Sequence, residues 1–277
     1  MPSSPIPTMD NQRACGVLGS WLDMRPHILI LGGTTEAREL GLALCLRELV
    51  TTISLAGRTA APAAQPVPVR RGGFGGADGL AEYLRAQRVD FLIDATHPYA
   101  ETISANAVQA ASRTNTPILA LRRPPWTALE GDTWIDVSDA QAAACALGER
   151  PRRVFLTVGR QELAPFASAP QHHYFIRSVD PVEPPLDVPH AHYILARGPF
   201  TQSQDRALLE SFCIDAVVAK NSGGEATYSK IAAARLLGIP VFMFSRPPVP
   251  ECPSVGTVAE AVAWLDHAVG LAVPRGV

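Results

Sequence analysis

Lysine is nearly missing from this chain: only Lys220 and Lys230 stand among 24 basic residues, the rest being arginine. The bias itself reflects coding more than chemistry. Both survivors nevertheless flank one glycine-containing segment, which points to an ammonium required there. The five cysteines (Cys15, Cys45, Cys145, Cys213 and Cys252) are scattered, with no C-x-x-C pair. That argues against a zinc site or a disulfide framework and makes a reducing cytoplasm the expected compartment. No apolar run approaches the roughly 18 residues of a membrane span. A net charge of −2 gives no general attraction to nucleic acid or anionic lipid, so any anion binding must be local. Residues 1–24 are rich in Pro and Ser and lack a signal-peptide core, so they are expected to form a flexible tail. There is no GK[ST] phosphate loop and no complete G-x-G-x-x-G. Tyr-x-x-x-Lys and Ser-His-Asp arrangements are missing too, which leaves short-chain dehydrogenase and hydrolase mechanisms without support.

What is present is a globular chain of 277 residues, 47% apolar and 18% charged. Short apolar runs alternate with helical stretches. His27–Leu31, Thr51–Leu55, Val89–Ile93 and Pro117–Leu121 read as strands, with helices over 36–49, 78–88, 100–114 and 138–147. Such alternation predicts βα units around a parallel sheet. The second half repeats the order, in part literally. Thr116-Pro-Ile-Leu-Ala-Leu-Arg-Arg-Pro-Pro125 matches Ile239-Pro-Val-Phe-Met-Phe-Ser-Arg-Pro-Pro248 in residue type. The fold class expected is therefore α/β, with two mainly parallel sheets related by internal duplication. The junction is placed near Glu149–Arg153, giving domains 25–150 and 151–277 with the active site in the cleft between them.

Five apolar runs of the second half each end in a cation: Arg160, Arg177, Arg197, Lys220 and Arg246. If these runs are neighbouring parallel strands, the cations share the carboxyl edge of one sheet, where ligands of open α/β sheets bind. A small polyanion is the expected occupant. In the first half, Gly32-Gly33-Thr34-Thr35 follows the first strand and opens a helix, a place for a phosphate on free backbone N–H groups. Gly33, Thr34 and Thr35 are its candidates, against the alternative of a plain tight turn. Ala56-Gly57-Arg58 ends the second strand with an Arg where an acid would hold unphosphorylated ribose, so Arg58 favours the phosphorylated nicotinamide cofactor. Gly72-Gly73-Phe74-Gly75-Gly76 lets a ligand approach the backbone closely through Gly73 and Gly75, or else serves as a lid. Asp94-Ala-Thr-His-Pro-Tyr-Ala100 gathers Thr96, His97 and Tyr99 at the same edge. Lys220-Asn-Ser-Gly-Gly224, with Ser222, resembles a second anion nest. Lys230 falls ten residues later on the predicted helix, with a plain surface lysine as the alternative to a required ammonium. Gly72–Gly76 and the Pro-rich stretch Asp180–Pro189 are the loops expected to move.

With these residues assembled, residues 26–268 resemble the precorrin-6A reductase family of cobalamin biosynthesis. The resemblance rests on GGTTEAR, GGFGG, IDATHPYA, RPPW at Arg123–Trp126, GPF at Gly198–Phe200, KNSGG and the closing RPP. It implies two Rossmann-like domains, the first holding NADPH and the second the macrocycle, with hydride reduction of one ring double bond. Cofactor contacts then fall to Gly33, Thr34, Thr35, Arg58, Gly73, Gly75, Thr96 and His97. Substrate carboxylates fall to Arg160, Arg177, Arg197, Lys220, Ser222 and Arg246. His97 and Tyr99 are the catalytic candidates as proton donors, with water or a substrate carboxyl group as alternatives. No metal is expected. Transient contact with neighbouring pathway enzymes is a further expectation. The rivals are a cobalt-precorrin-6A reductase, a reductase of another polyanionic metabolite, and a non-catalytic tetrapyrrole carrier or nucleotide sensor.

Overall fold

The computed structural model describes residues 25–57, 59 and 62–272. The expected N-terminal tail, 1–24, and Arg58 lie outside these residues.

The first strand, β1 (His27–Leu31), has four of its five residues buried. It is flanked by β2 (Val50–Leu55) and β4 (Phe91–Asp94), and all these pairs are parallel. With β3 (Val69–Arg71), β5 (Ile118–Leu121) and β12 (Ser254–Val255) they form one six-stranded sheet, ordered β12-β5-β4-β1-β2-β3. The second sheet is ordered β6-β11-β10-β7-β8-β9. Its strands are β6 (Trp134–Val137), β7 (Arg153–Thr157), β8 (His173–Ser178), β9 (Ala191–Leu195), β10 (Ala216–Lys220) and β11 (Val241–Phe244). The helices are α1 (Thr35–Cys45), α2 (Gly76–Ala86), α3 (Glu101–Thr114), α4 (Ala140–Ala146), α5 (Gln202–Ser211), α6 (Ser229–Leu237) and α7 (Val258–Ala272). Near-continuous apolar runs such as Val154–Leu156 and Ala216–Ala219 are buried on both faces, as parallel sheets covered by crossover helices require. Each sheet order is the doubly wound 3-2-1-4-5-6 arrangement.

The duplication is present, but the sixth strand of each sheet comes from the other half. β6 pairs with β11, and α4 packs into the core beneath Val154, Leu156 and Phe244. Reciprocally, β12 pairs with β5, and α7 places Ala261 and Leu265 against Leu40 and Leu44 of α1. A division at residue 150 is therefore corrected: it assigns β6 and α4 to the wrong sheet, and likewise β12 and α7. The cause is local indistinguishability. β6 (Trp-Ile-Asp-Val) and β12 (Ser-Val) are short and only partly apolar, so the sequence marked neither the strand nor the sheet edge it joins.

The five strands that precede the cations are contiguous neighbours in the second sheet, in the order β11-β10-β7-β8-β9, so their carboxyl ends do share one edge. That edge faces the carboxyl edge of the first sheet. Both strand orders reverse between the first strand and its neighbour, β1/β4 and β7/β10, and these switch points are where an open α/β sheet leaves a crevice.

Candidate active site

On the first sheet, β1 runs into a turn that only glycine fits. Gly33 has φ +119°, and a Cβ on Gly32 would press on Ile53 at 2.9 Å. Thr34 then caps α1: its hydroxyl accepts from the Ala37 N–H at 3.1 Å and donates to the Ala95 carbonyl at 2.8 Å. Both hydroxyl valences are thus engaged in joining the β1 turn to the β4 turn. Opposite, β3 feeds the glycine loop, where Gly72, Gly75 and Gly76 all have positive φ. Arg70 holds this loop. Its guanidinium lies 3.7 Å over the Phe74 ring and donates to the carbonyls of Gly72 (2.5 Å) and Gly73 (2.9 Å). Between turn and loop lies a cavity of about 160 Å³, with Gly32, Ser54, Gly73, Gly75, Thr96 and Asn106 among its lining residues. Backbone at its walls without Cβ atoms, and the starts of α1 and α2 beside it, fit the phosphates and sugars of a dinucleotide. Thr35, at the start of α1, is exposed.

The loop after β4 crosses to the second sheet. Asp94 is buried and accepts from Thr96 Oγ1 at 2.7 Å and Ser104 Oγ at 2.6 Å, which fixes the start of the loop. His97 Nε2 then lies 3.2 Å from Ser222 Oγ. The Tyr99 hydroxyl donates to the Phe244 carbonyl and accepts from the Asn221 N–H at 2.9 Å. Strand registers explain the meeting. Leu31 pairs with Asp94 and Thr157 with Ala219, so His97 and Ser222, each three residues further on, occupy equivalent positions of the two halves.

The surround of His97 is cationic. Burial, then the charges of Arg123, Lys220, Arg246 and Lys230, bring its imidazole down to about 3. Burial raises the Tyr99 phenol to about 12. A histidine kept neutral and a tyrosine with both hydrogen bonds on backbone are poorly suited to donate a proton. The expectation of acid catalysis from this pair is therefore not what the geometry favours; it favours positioning.

The five edge cations are not alike. Lys220 pairs with Glu162 and sits 4.8 Å over the Tyr99 ring. Arg160, 44% exposed at its side chain, is 3.9 Å from Asp180 and donates to the Pro181 carbonyl, so it leans on the Pro-rich segment. Arg197 is exposed. Arg177 is buried, paired to Asp205 at 2.5 Å and stacked 3.8 Å from the Phe200 ring. Its guanidinium faces α5, so a role in gripping a carboxylate at the open edge is corrected to an internal one. Arg246 donates to the carbonyls of Asn221, Ser222 and Arg123 at 2.8–3.1 Å and is likewise a clamp. Lys230 is not a surface residue. Its ammonium is buried, donates to the Thr227 carbonyl at 2.6 Å and lies 5.1 Å from the Trp126 ring. Burial and the nearby Arg177 lower it to about 7, against the opposing pull of Asp205.

Sequence reasoning missed Arg70, Asp205, Glu36 and Glu162. The two glutamates had a signal. Each stands three residues after Gly33 or Gly159, at matching places after β1 and β7, and each pairs with a cation: Glu36 with Arg123, Glu162 with Lys220.

Two mainly parallel six-stranded sheets, one with a glycine-walled cleft and the other with a cationic edge, define a two-sheet Rossmann-like protein. The comparisons narrow this. The family model described as precorrin-6x reductase CbiJ/CobK matches residues 27–266, and the chain belongs to that family. It is 56% identical over 246 residues to a precorrin-6A reductase of Sinorhizobium sp, covering 88% of this chain and 94% of the relative. A solved structure, "CobK precorrin-6A reductase", superposes with TM-score 0.86 at 49% identity, covering 91% of this chain and all of the other. A cobalt-precorrin-6A reductase of Priestia megaterium is 29% identical over 253 residues, covering 87% and 97%. Among the described residues no helix is long and apolar enough to cross a membrane, and no cluster of three or more His, Cys, Asp or Glu could hold a metal ion.

Proposed function

We propose that the chain reduces a ring double bond of precorrin-6A to give precorrin-6B in cobalamin biosynthesis, with NADPH as reductant. The observation that carries this is the facing of two unlike edges. The glycine-walled cleft suits a dinucleotide, and the cationic edge suits a tetrapyrrole bearing many carboxylates. The identity gap between 56% and 29% favours the cobalt-free substrate over its cobalt-loaded counterpart.

Bound in the cleft, the reduced nicotinamide supplies the hydride. The protein's part is to hold and orient. Gly32, Gly33 and the α1 start receive phosphate; Gly73 and Gly75 admit the cofactor against backbone; Thr96 lines the cleft floor. Arg160, Arg197 and Lys220 face the macrocycle's carboxylates. His97, bonded to Ser222, fixes the two edges relative to each other as a neutral side chain. The proton required beside the reduced carbon then comes from water or a substrate carboxyl group.

The test is to mix enzyme, NADPH and precorrin-6A, following cofactor oxidation at its near-ultraviolet band and the tetrapyrrole's visible spectrum. Stoichiometric oxidation with a spectral shift is expected, slower by at least about tenfold with NADH or with the cobalt-loaded substrate, a difference of ~1.4 kcal/mol. Binding without oxidation would favour a carrier.

A further inference from the structure

We infer that Arg123 is a positioning residue that couples occupation of the glycine turn after β1 to the shape of the Lys220–Gly224 loop, with Glu36 as the group through which it senses the turn. The inference rests on the proposed reading that cofactor binds the first edge and tetrapyrrole the second.

Glu36 stands in the first turn of α1, beside the turn proposed to receive the cofactor's phosphates. A carboxylate there is favourable while the helix start holds no other anion, and repulsive once it does. Arg123 resolves the conflict. Its Nη1 donates to Glu36 Oε2 at 2.7 Å, with side-chain exposures of only 13% and 21%. Its Nε simultaneously donates to the Ser222 carbonyl at 2.6 Å. Ser222 Oγ meets His97, whose loop is tied back to Thr34 through the Ala95 carbonyl. The contacts close a ring that crosses between the halves twice.

The loop is shaped around this ion pair. Gly224 has φ +71°, and a Cβ there would lie 2.9 Å from Arg123 Cδ and 3.1 Å from Glu36 Oε1. The next cation of the duplication, Arg246, grips the same Ser222 carbonyl from the other side at 3.1 Å. Among the described residues Arg246 pairs with no carboxylate of the first half, whereas Arg123 joins Glu36 at the phosphate turn to the loop. Only a guanidinium can serve both partners, because its fork presents Nε and Nη donors in one plane. An incoming pyrophosphate adds negative charge beside Glu36, which strengthens the hold on Arg123 and hence on Ser222. By reciprocity, a tetrapyrrole that favours the held loop must tighten the cofactor by the same factor.

The experiment measures the dissociation constant of NADP+ with and without precorrin-6A, a pair that cannot react because both partners are oxidised. Full-length wild type, Glu36→Gln and Arg123→Lys are compared. Wild type is expected to bind NADP+ at least about fivefold more tightly with precorrin-6A present. In both variants that ratio should fall to within about twofold of one, while NADP+ alone binds Glu36→Gln as well as wild type or better. A merely structural role would weaken both ligands and leave the ratio unchanged; that result, or a wild-type ratio near one, overturns the inference. Wild type that binds no NADP+ at all overturns the underlying cofactor reading instead. If Arg123→Lys does not fold, Glu36→Gln decides.

Discussion

Arg177 and Asp205 are nearly closed to water, with side-chain exposures of 7% and 1%, and Ser229 Oγ completes the carboxylate's partners at 2.5 Å. Removing one member leaves the other charge buried and unpaired. Arg177→Met should therefore cost about 3–5 kcal/mol in denaturant unfolding. Arg160→Met, removing a half-exposed partner of Asp180, should cost under about 1 kcal/mol while weakening tetrapyrrole binding. Equal stability losses would contradict the division of the edge cations. Arg177 was legible as a strand-end cation but not as a buried one: a charge inside an otherwise apolar strand signals a partner, yet nothing in the sequence points to Asp205, four residues into a helix's polar start. His97 gives a second test. Its folded pKa of about 3 lies below the ordinary 6.5. Between those values the unfolded chain binds a proton that the folded chain refuses, so stability falls as pH drops from 6.5 toward 3. His97→Asn should lose less stability than wild type between pH 7 and pH 4, by urea titration. Parallel curves would show that His97 is not held neutral.

The loop Gly72–Gly76 and the helix it opens, α2, wall the cleft proposed for the cofactor. Gly75 caps α2 at φ +83° with no side-chain cap, and a Cβ there would touch nothing within 4 Å. Its replacement by Ala is thus a pure conformational penalty, about 1–2 kcal/mol. Gly148 has nearly the same φ, +81°, with equally open surroundings, and does not line the cleft. Gly75→Ala and Gly148→Ala should lower the melting temperature alike. Only Gly75→Ala should raise the KM for reduced cofactor, by about fivefold, the equivalent of ~1 kcal/mol. A matching KM change in both would separate the loop from cofactor binding. The glycine density made this element visible in the sequence. Arg70, which sets the loop's shape, was not visible because an arginine on a short edge strand looks like ordinary surface.

The exchange of terminal strands governs the molecule as a whole. β3, β6 and β12, only two to four residues long, were missed, while the other nine strands and the meeting of their carboxyl ends at the sheet edges followed from periodicity and from the repeated Arg-Pro-Pro segments. Which sheet received β6 and β12 did not, because pairing across halves depends on the path of the connecting segments in space. Deleting residues 253–277 removes β12 and α7, which lie in the second repeat yet complete the first sheet. The loss uncovers Leu40 and Leu44 of α1, whose cluster includes Ala261 and Leu265. The truncated chain should lose cofactor binding and cooperative unfolding of the first sheet, although none of the segment's described residues lines the cleft. A truncated chain that still binds NADP+ with the intact melting profile would refute the dependence.

Among the described residues the chain passes between the sheets along 122–133 and 245–253, one crossing in each direction. Two crossings tether the sheets at two points, so that neither connection alone joins them. Arg123 and Arg246 stand in these crossings and both donate to the Ser222 carbonyl, so the two tethers meet at one atom of the Lys220–Gly224 loop. A displacement of that one carbonyl would therefore pull on both tethers at once.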